Sequence, residues 1–176
     1  MSTGPRYRVH FRRRREGKTD YRVRLRLLRS GVSRAVVRCS GRRVRVSIVA
    51  YDPTGDRVVA VAESSELGKI AFPAARYAST PAAYLTGMLA GLRAKSSGTA
   101  EAVLDAGLRR PTPGGRLTAA LKGLLDAGIE IPHGEKGFPS KDRLAGSHLP
   151  APLPETVEAY KLKLPGIVAR AGAPHP

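Results

Sequence analysis

The chain of 176 residues has no asparagine, no glutamine and no tryptophan, and only one cysteine, two methionines and three phenylalanines. A single thiol, Cys39, excludes an internal disulfide framework and any multi-cysteine metal site. Cys39 lies in an alternating apolar stretch, so it reads as a small core residue rather than a nucleophile. The missing amides remove the usual bidentate readers of adenine. Both amides are thermolabile, and their absence is what selection for heat resistance or a biased base composition would leave. Aromatic residues make up 5% of the chain, and no segment carries the paired aromatics of a base-stacking platform, which argues against an RRM or an OB-fold. No run approaches the roughly eighteen apolar residues that a membrane-spanning helix needs. The first twenty residues are basic without an apolar stretch, so no secretory signal is expected there. Acidic residues are also scarce, 14 against 31 Lys and Arg, for a net charge of +17.

The placement of the positive charge says more than its size. Residues 1–45 hold sixteen of the basic residues against only Glu16 and Asp20, a net +14, and the remaining 131 residues carry fifteen basic and twelve acidic groups, a net +3. One end is a polycation and the body is nearly balanced. Such an end repels itself until a polyanion neutralises it. Arginine outnumbers lysine 23 to 8, and the planar guanidinium both forks onto phosphate and stacks on bases. A membrane-surface anchor would need an amphipathic helix with a bulky apolar face. Residues 6–18 offer only Tyr7, Val9 and Phe11 in alternation. Nucleic acid is the expected partner and no membrane is. With phosphate and shape as the available means of recognition, folded RNA fits better than duplex DNA.

Residues 1–18 lack apolar periodicity and read as an extended arm. Thr19 or Asp20 can cap a short helix ending before Gly31. From Ser33 the period becomes two, through Ala35, Val37 and Cys39, then Val44, Val46 and Ile48, then residues 58–62, with turns at 41–43 and 52–56. This predicts a three-stranded antiparallel meander. After a connecting segment over 64–79, with a turn of helix at its start, Thr80-Pro81 opens a helix running to Gly98. Residues 101–105 read as a buried strand, and a second helix follows Gly115 and stops at Gly128. Strand, helix, strand, helix implies a βαβ crossover. The fold class is therefore α/β: a mixed sheet with covering helices, a basic N-terminal arm and an irregular C-terminal extension holding one short helix at 154–163. The expected division is 1–30 for the arm and its helix, 31–132 for the globular domain, and 133–176 for the extension.

No catalytic constellation is legible. Glu16-Gly17-Lys18-Thr19 looks like the end of a phosphate-binding loop, but Arg12 stands where its first glycine belongs and no strand precedes it. The four histidines lack metal-ligand spacing. Asp105 alone could suggest a nuclease carboxylate, yet metal-dependent phosphoryl chemistry needs several converging acids. A structural role bonding loop amides near Gly107 fits it better. No enzyme activity, metal or cofactor is expected. The rival classes are an RNA-acting enzyme with a ribonuclease-H-like sheet, which lacks its acids here, and a DNA-compacting protein, which has no need of long apolar helices.

Particular residues then carry a family resemblance. Gly4-Pro5-Arg6-Tyr7-Arg8-Val9 and Phe11-Arg12-Arg13-Arg14-Arg15-Glu16-Gly17-Lys18-Thr19-Asp20-Tyr21 resemble the N-terminus of the archaeal branch of the large-subunit ribosomal protein L-eighteen family, whose eukaryotic relative is large-subunit protein L-five. The likeness continues through Tyr51-Asp52-Pro53-Thr54-Gly55-Asp56, Thr80-Pro81-Ala82-Ala83-Tyr84-Leu85, Leu104-Asp105-Ala106-Gly107-Leu108-Arg109-Arg110 and Ile131-Pro132-His133-Gly134-Glu135, covering about residues 4–148. The proline-rich tail beyond departs from it. The resemblance implies a structural protein of the cytoplasmic ribosome that binds 5S rRNA. It would help to seat that RNA on the 23S-type large rRNA in the central protuberance, beside neighbouring large-subunit proteins. It places RNA contacts at Arg6, Arg8, Arg12, Arg13, Arg14, Arg15, Lys18, Arg22, Arg38, Ser40 and Arg43. The interleaved aromatics Tyr7, Phe11 and Tyr21 and the further basic positions Arg26, Arg42, Arg45, Arg109, Arg110 and Arg116 complete the candidate set.

Overall fold

The computed structural model describes residues 4–5, 7–134, 137–150 and 153–171. Alternation produces the sheet as expected. β1 (Arg34–Cys39), β2 (Val44–Ala50) and β3 (Arg57–Glu63) form an antiparallel meander, and β4 (Val103–Asp105) joins in parallel beside β1, giving the order β3-β2-β1-β4. In register, Val37 faces Val46 across β1–β2 and Ala35 faces Leu104 across β1–β4. Because side chains alternate between faces, Ala35, Val37, Val44, Val46, Ile48, Ala60 and Ala62 all point into one buried layer. The opposite face carries Arg38, Arg45 and Glu63, which are mutual neighbours across the strands.

Two helices, α3 (Thr80–Ser96) and α4 (Arg116–Asp126), cover the buried face, and α6 (Val157–Ala171) packs on α3 and completes the core. α3 is apolar all round, as a helix enclosed by a sheet and two other helices must be. Its N-cap is Ser79 rather than the expected Thr80. The Ser79 hydroxyl accepts from the Ala82 amide at 3.3 Å, and Pro81 sits in the first turn. Glycines set how closely α3 meets α4. A Cβ on Gly87 would collide with the Ala120 carbonyl, and one on Gly123 with the Tyr84 carbonyl, so the two backbones touch directly.

Three local readings change. Part of the arm is not extended, since α1 (Arg12–Arg15) forms one helical turn. The strand expected over 101–105 is shorter, with Glu101 making an isolated parallel bridge to Glu130 instead. The segment after residue 132, read as largely irregular, contains α5 (Lys141–Ala145) and the fifteen-residue α6, which runs well past the expected end at 163. Val157, Tyr160, Leu164 and Ile167 recur at helical spacing and are buried in the main core, where Tyr160 meets Phe72 edge-on at 5.2 Å. Pro165 lies inside this helix, on its exposed side. Between β3 and α3, two 3-10 turns, Ser64–Ile70 and Ala74–Arg76, carry the chain across the end of the sheet.

The outer edge of β3 is closed by one ion pair. Arg93 of α3 donates to both Glu66 oxygens, at 3.1 and 2.6 Å, and to the Val61 carbonyl. Burial raises the Glu66 pKa, but the hydrogen bonds from Arg93 and the Glu63 amide, together with the charges of Arg93 and Lys69, outweigh it, so the group lies below its ordinary value of 4.5. A lowered carboxylate pKa stabilises the fold above the unfolded value, and that contribution disappears as pH falls through the folded one. Glu66→Gln should therefore lower the melting temperature at pH 7 and narrow its gap to the parent chain as pH drops below 4.5, measured by thermal unfolding across pH.

Glycine substitutions test the helix contact. Gly87→Ala and Gly123→Ala should each destabilise by about 1–3 kcal/mol through overpacking. Gly166→Ala in α6, where a Cβ would meet nothing within 4 Å, should gain about 0.5–1 kcal/mol. Urea midpoints of the three variants check both signs.

Candidate nucleic-acid interface

The open face of the sheet is partly roofed by α2 (Tyr21–Leu28). Asp20 caps this helix, its carboxylate accepting from the Arg22 and Val23 amides at 2.9 and 3.2 Å. Gly31, with φ of +69°, takes the chain away from its end. None of the α2 residues is buried. What lies between helix and sheet is a groove of about 480 Å³, with Val23 and Leu27 on the helix side and Val36, Val49 and Val58 on the sheet side.

Charge, not apolar burial, fastens this arrangement. Asp56 accepts from Arg24 of α2 at 2.8 Å and from Arg34 of β1 at 2.6 Å. Arg34 reaches on to Asp105 at 3.3 Å, and Asp105 also accepts from Arg38 at 3.0 Å. The five groups form a ladder Arg24–Asp56–Arg34–Asp105–Arg38 across the strands. Asp105 also accepts from the Gly107 amide at 2.8 Å, the structural role expected of it. Arg34, 4% exposed, was not singled out from sequence. Its only signal there is an arginine at the start of an apolar strand, which is ambiguous without knowing that two carboxylates converge on it.

The candidate cations differ in what engages them. Arg8, Arg14, Arg15, Arg22, Arg26, Arg42, Arg45, Arg109 and Arg110 are exposed and make no ion pair among the described residues. Arg12 and Lys18 both pair with Glu16, at 3.3 and 2.8 Å, and Arg43 pairs with Glu63 at 3.3 Å. Such surface pairs are worth little and exchange readily for a phosphate. Arg13 donates to the Thr19 hydroxyl at 2.9 Å. Two candidates are engaged internally. Arg116 donates to the Ser40 and Ala78 carbonyls, at 2.7 and 3.2 Å, and Arg38 joins the ladder. Ser40 shapes the β1–β2 turn, its hydroxyl accepting from the Arg42 and Arg43 amides. Phe11 packs on Tyr21 at 5.4 Å between ring centres, joining the arm to the start of α2, while Tyr7 is about half exposed. Arg6 lies outside the described residues. Cys39 is half-buried; burial pushes its thiol up despite Arg116 and Arg109, so the reactive thiolate is disfavoured.

The basic arm, the roofed groove and the basic hairpin occur in a chain with close relatives. The family described as "Ribosomal large subunit proteins 60S L5, and 50S L18" matches residues 5–97 and 93–134. The chain is 51% identical over 151 residues to the "Large ribosomal subunit protein uL18" of Methanoregula boonei, covering 86% of each chain. The protein of that name from Haloarcula marismortui is 49% identical over 149 residues, covering 85% of this chain and 79% of the relative. That of Methanococcoides burtonii is 45% identical over 169 residues, covering 93% and 97%. These are ribosomal proteins of the large subunit. The chain belongs to the 60S L5 and 50S L18 family.

If the ladder holds α2 in place, removing its shared carboxylate should loosen the helix while the core stays intact. Asp56→Asn should speed amide exchange of residues 24–29 several-fold and leave exchange in β2 and α3 unchanged, as read by hydrogen–deuterium exchange mass spectrometry.

Proposed function

We propose that this chain is a structural protein of the large ribosomal subunit that binds 5S rRNA and helps to attach it to the large rRNA in the central protuberance. Its exposed arginines supply the contacts. One observation carries the reading. The acids near the groove, Asp20, Asp56 and Asp105, are occupied by a helix cap and by internal ion pairs, whereas Arg8, Arg14 and Arg15 of the arm, Arg22 and Arg26 of α2, Arg42 of the β1–β2 turn, Arg45 of β2, and Arg109 and Arg110 make no ion pair among the described residues. A surface built so spends its negative charge internally and presents positive charge outward, as a phosphate-rich partner requires. Membership in a large-subunit ribosomal family supports the same role.

The arm and the folded body divide the work. The described arm residues before Thr19 are all exposed, so they contribute little to the fold and are available to order on RNA with release of counterions. The body supplies a folded face at Arg38, Arg43 and Arg45. Val9 of the arm, Leu25 of α2, Tyr51 after β2 and Leu108 after β4 are exposed and offer contacts to neighbouring large-subunit proteins. The ribonuclease-H-like alternative fails. The relatives are ribosomal proteins, and its candidate carboxylate Asp105 is held by two arginines.

Deleting residues 1–18 tests the division. The melting transition should stay nearly unchanged while 5S rRNA affinity drops by orders of magnitude, with residual binding through the sheet face. For the intact chain, neutralising about six to ten phosphates should cost roughly three to five decades of affinity between 50 and 200 mM salt, fewer if the contacted RNA is single-stranded. A truncated chain that unfolds, or that binds as tightly as the intact one, refutes the assignment of the arm.

A further inference from the structure

The Arg38 side chain is about half exposed yet held at three points. Its Nη1 donates to the main-chain carbonyls of Val37 at 3.0 Å and Asp105 at 2.8 Å, and its Nη2 donates to the Asp105 carboxylate at 3.0 Å. Both Nη1 protons and one Nη2 proton are thereby used. The remaining Nη2 proton and the Nε proton share one edge of the planar group and have no partner among the described residues. A second feature shapes the same spot. Gly107 has φ of +66°, and a Cβ there would lie 3.0 Å from the Arg38 guanidinium carbon and 3.2 Å from both terminal nitrogens. The guanidinium thus lies against a backbone that only glycine leaves open. Asp105 does not cancel the Arg38 charge, because it is shared with buried Arg34. Around the whole groove, basic residues outnumber acidic ones six to three.

We propose that Arg38 is a fixed side-on fork for one RNA phosphodiester at the mouth of the groove between α2 and the sheet, and that Asp105 is the positioning residue that presets it. This rests on the reading of the chain as an rRNA-binding protein and adds a preset subsite to its exposed arm. Arginines of the arm must be ordered when they bind, and each long side chain so ordered costs entropy. Arg38 has lost that freedom already, so its two free donors act without further ordering. Carboxylate, carbonyls and glycine come from the β1 end and the β4 loop. The subsite therefore exists only where the parallel strand pair places them together.

The experiment measures binding of the full chain to a 5S rRNA transcript and to a tRNA at fixed salt, with thermal unfolding of every variant. Asp105→Asn removes a negative charge from the RNA-facing side, so simple electrostatics predicts tighter binding. The positioning role predicts about tenfold weaker binding, the scale of a hydrogen bond to a charged group. Arg38→Lys keeps the charge, the Asp105–Arg34 pair and Gly107 intact, and it should lose nearly as much as Arg38→Ala. In the Arg38→Ala background, Asp105→Asn should cause no further loss. Equal or tighter binding by Asp105→Asn, or full affinity in Arg38→Lys, overturns the proposal. If Asp105→Asn melts early, the Arg38→Lys result decides alone. Preference for 5S rRNA in the parent with no effect of these variants sinks the subsite and spares the 5S reading. Variant effects on both RNAs without that preference do the reverse.

Discussion

Two carboxylates, Asp56 and Asp105, must serve three guanidiniums over the open face of the sheet, and the arrangement of that side follows from the shortage. Arg34 is nearly inaccessible to solvent, and a buried arginine is tolerated only when paired and hydrogen-bonded. It takes both acids. Each acid also accepts from a more exposed arginine, Arg24 on the helix or Arg38 on the strand. The helix with no buried residue is held over the sheet by this means, and the groove exists because charge rather than close packing closes its ends.

The opposite face obeys a different constraint. There the sheet meets α3, and α3 meets α4 through Gly87 and Gly123 with backbone against backbone. That contact leaves no room for a side chain between the two helices, and the sheet that carries the ladder packs against them. α6 adds to the same core through Tyr160 and Leu164, which extends the support beyond the sheet and its two neighbouring helices.

Much of this was legible in the residues themselves. Alternation at Val44, Val46 and Ile48 placed a strand and named its buried side. Pro81 and Gly98 bracketed α3. The concentration of arginine before residue 45 marked the polycationic end. Less was legible where local signals conflict. Pro165 argues against a helix, yet Val157, Tyr160, Leu164 and Ile167 form one stripe, and only a core able to receive that stripe outweighs the proline. The family resemblance makes Ser40 a candidate RNA contact, but that its hydroxyl also accepts from the Arg42 and Arg43 amides and so shapes the β1–β2 turn is visible only in the fold.

Composition and order alone determined that the protein is a polycation joined to a balanced α/β body, because charge density and apolar period are properties of the chain itself. They also determined the resemblance that the relatives bear out. What the tertiary structure decided is which arginines remain free. Arg34, Arg38 and Arg45 are equivalent as letters in strands, but their environments depend on whether Asp56 and Asp105, distant in sequence, arrive beside them. Arg34 becomes a buried strut, Arg38 a fixed fork and Arg45 an exposed cation. The difference is set by the β1–β4 pairing, since ion pairing acts over a few ångströms and only the folded sheet brings the partners that close.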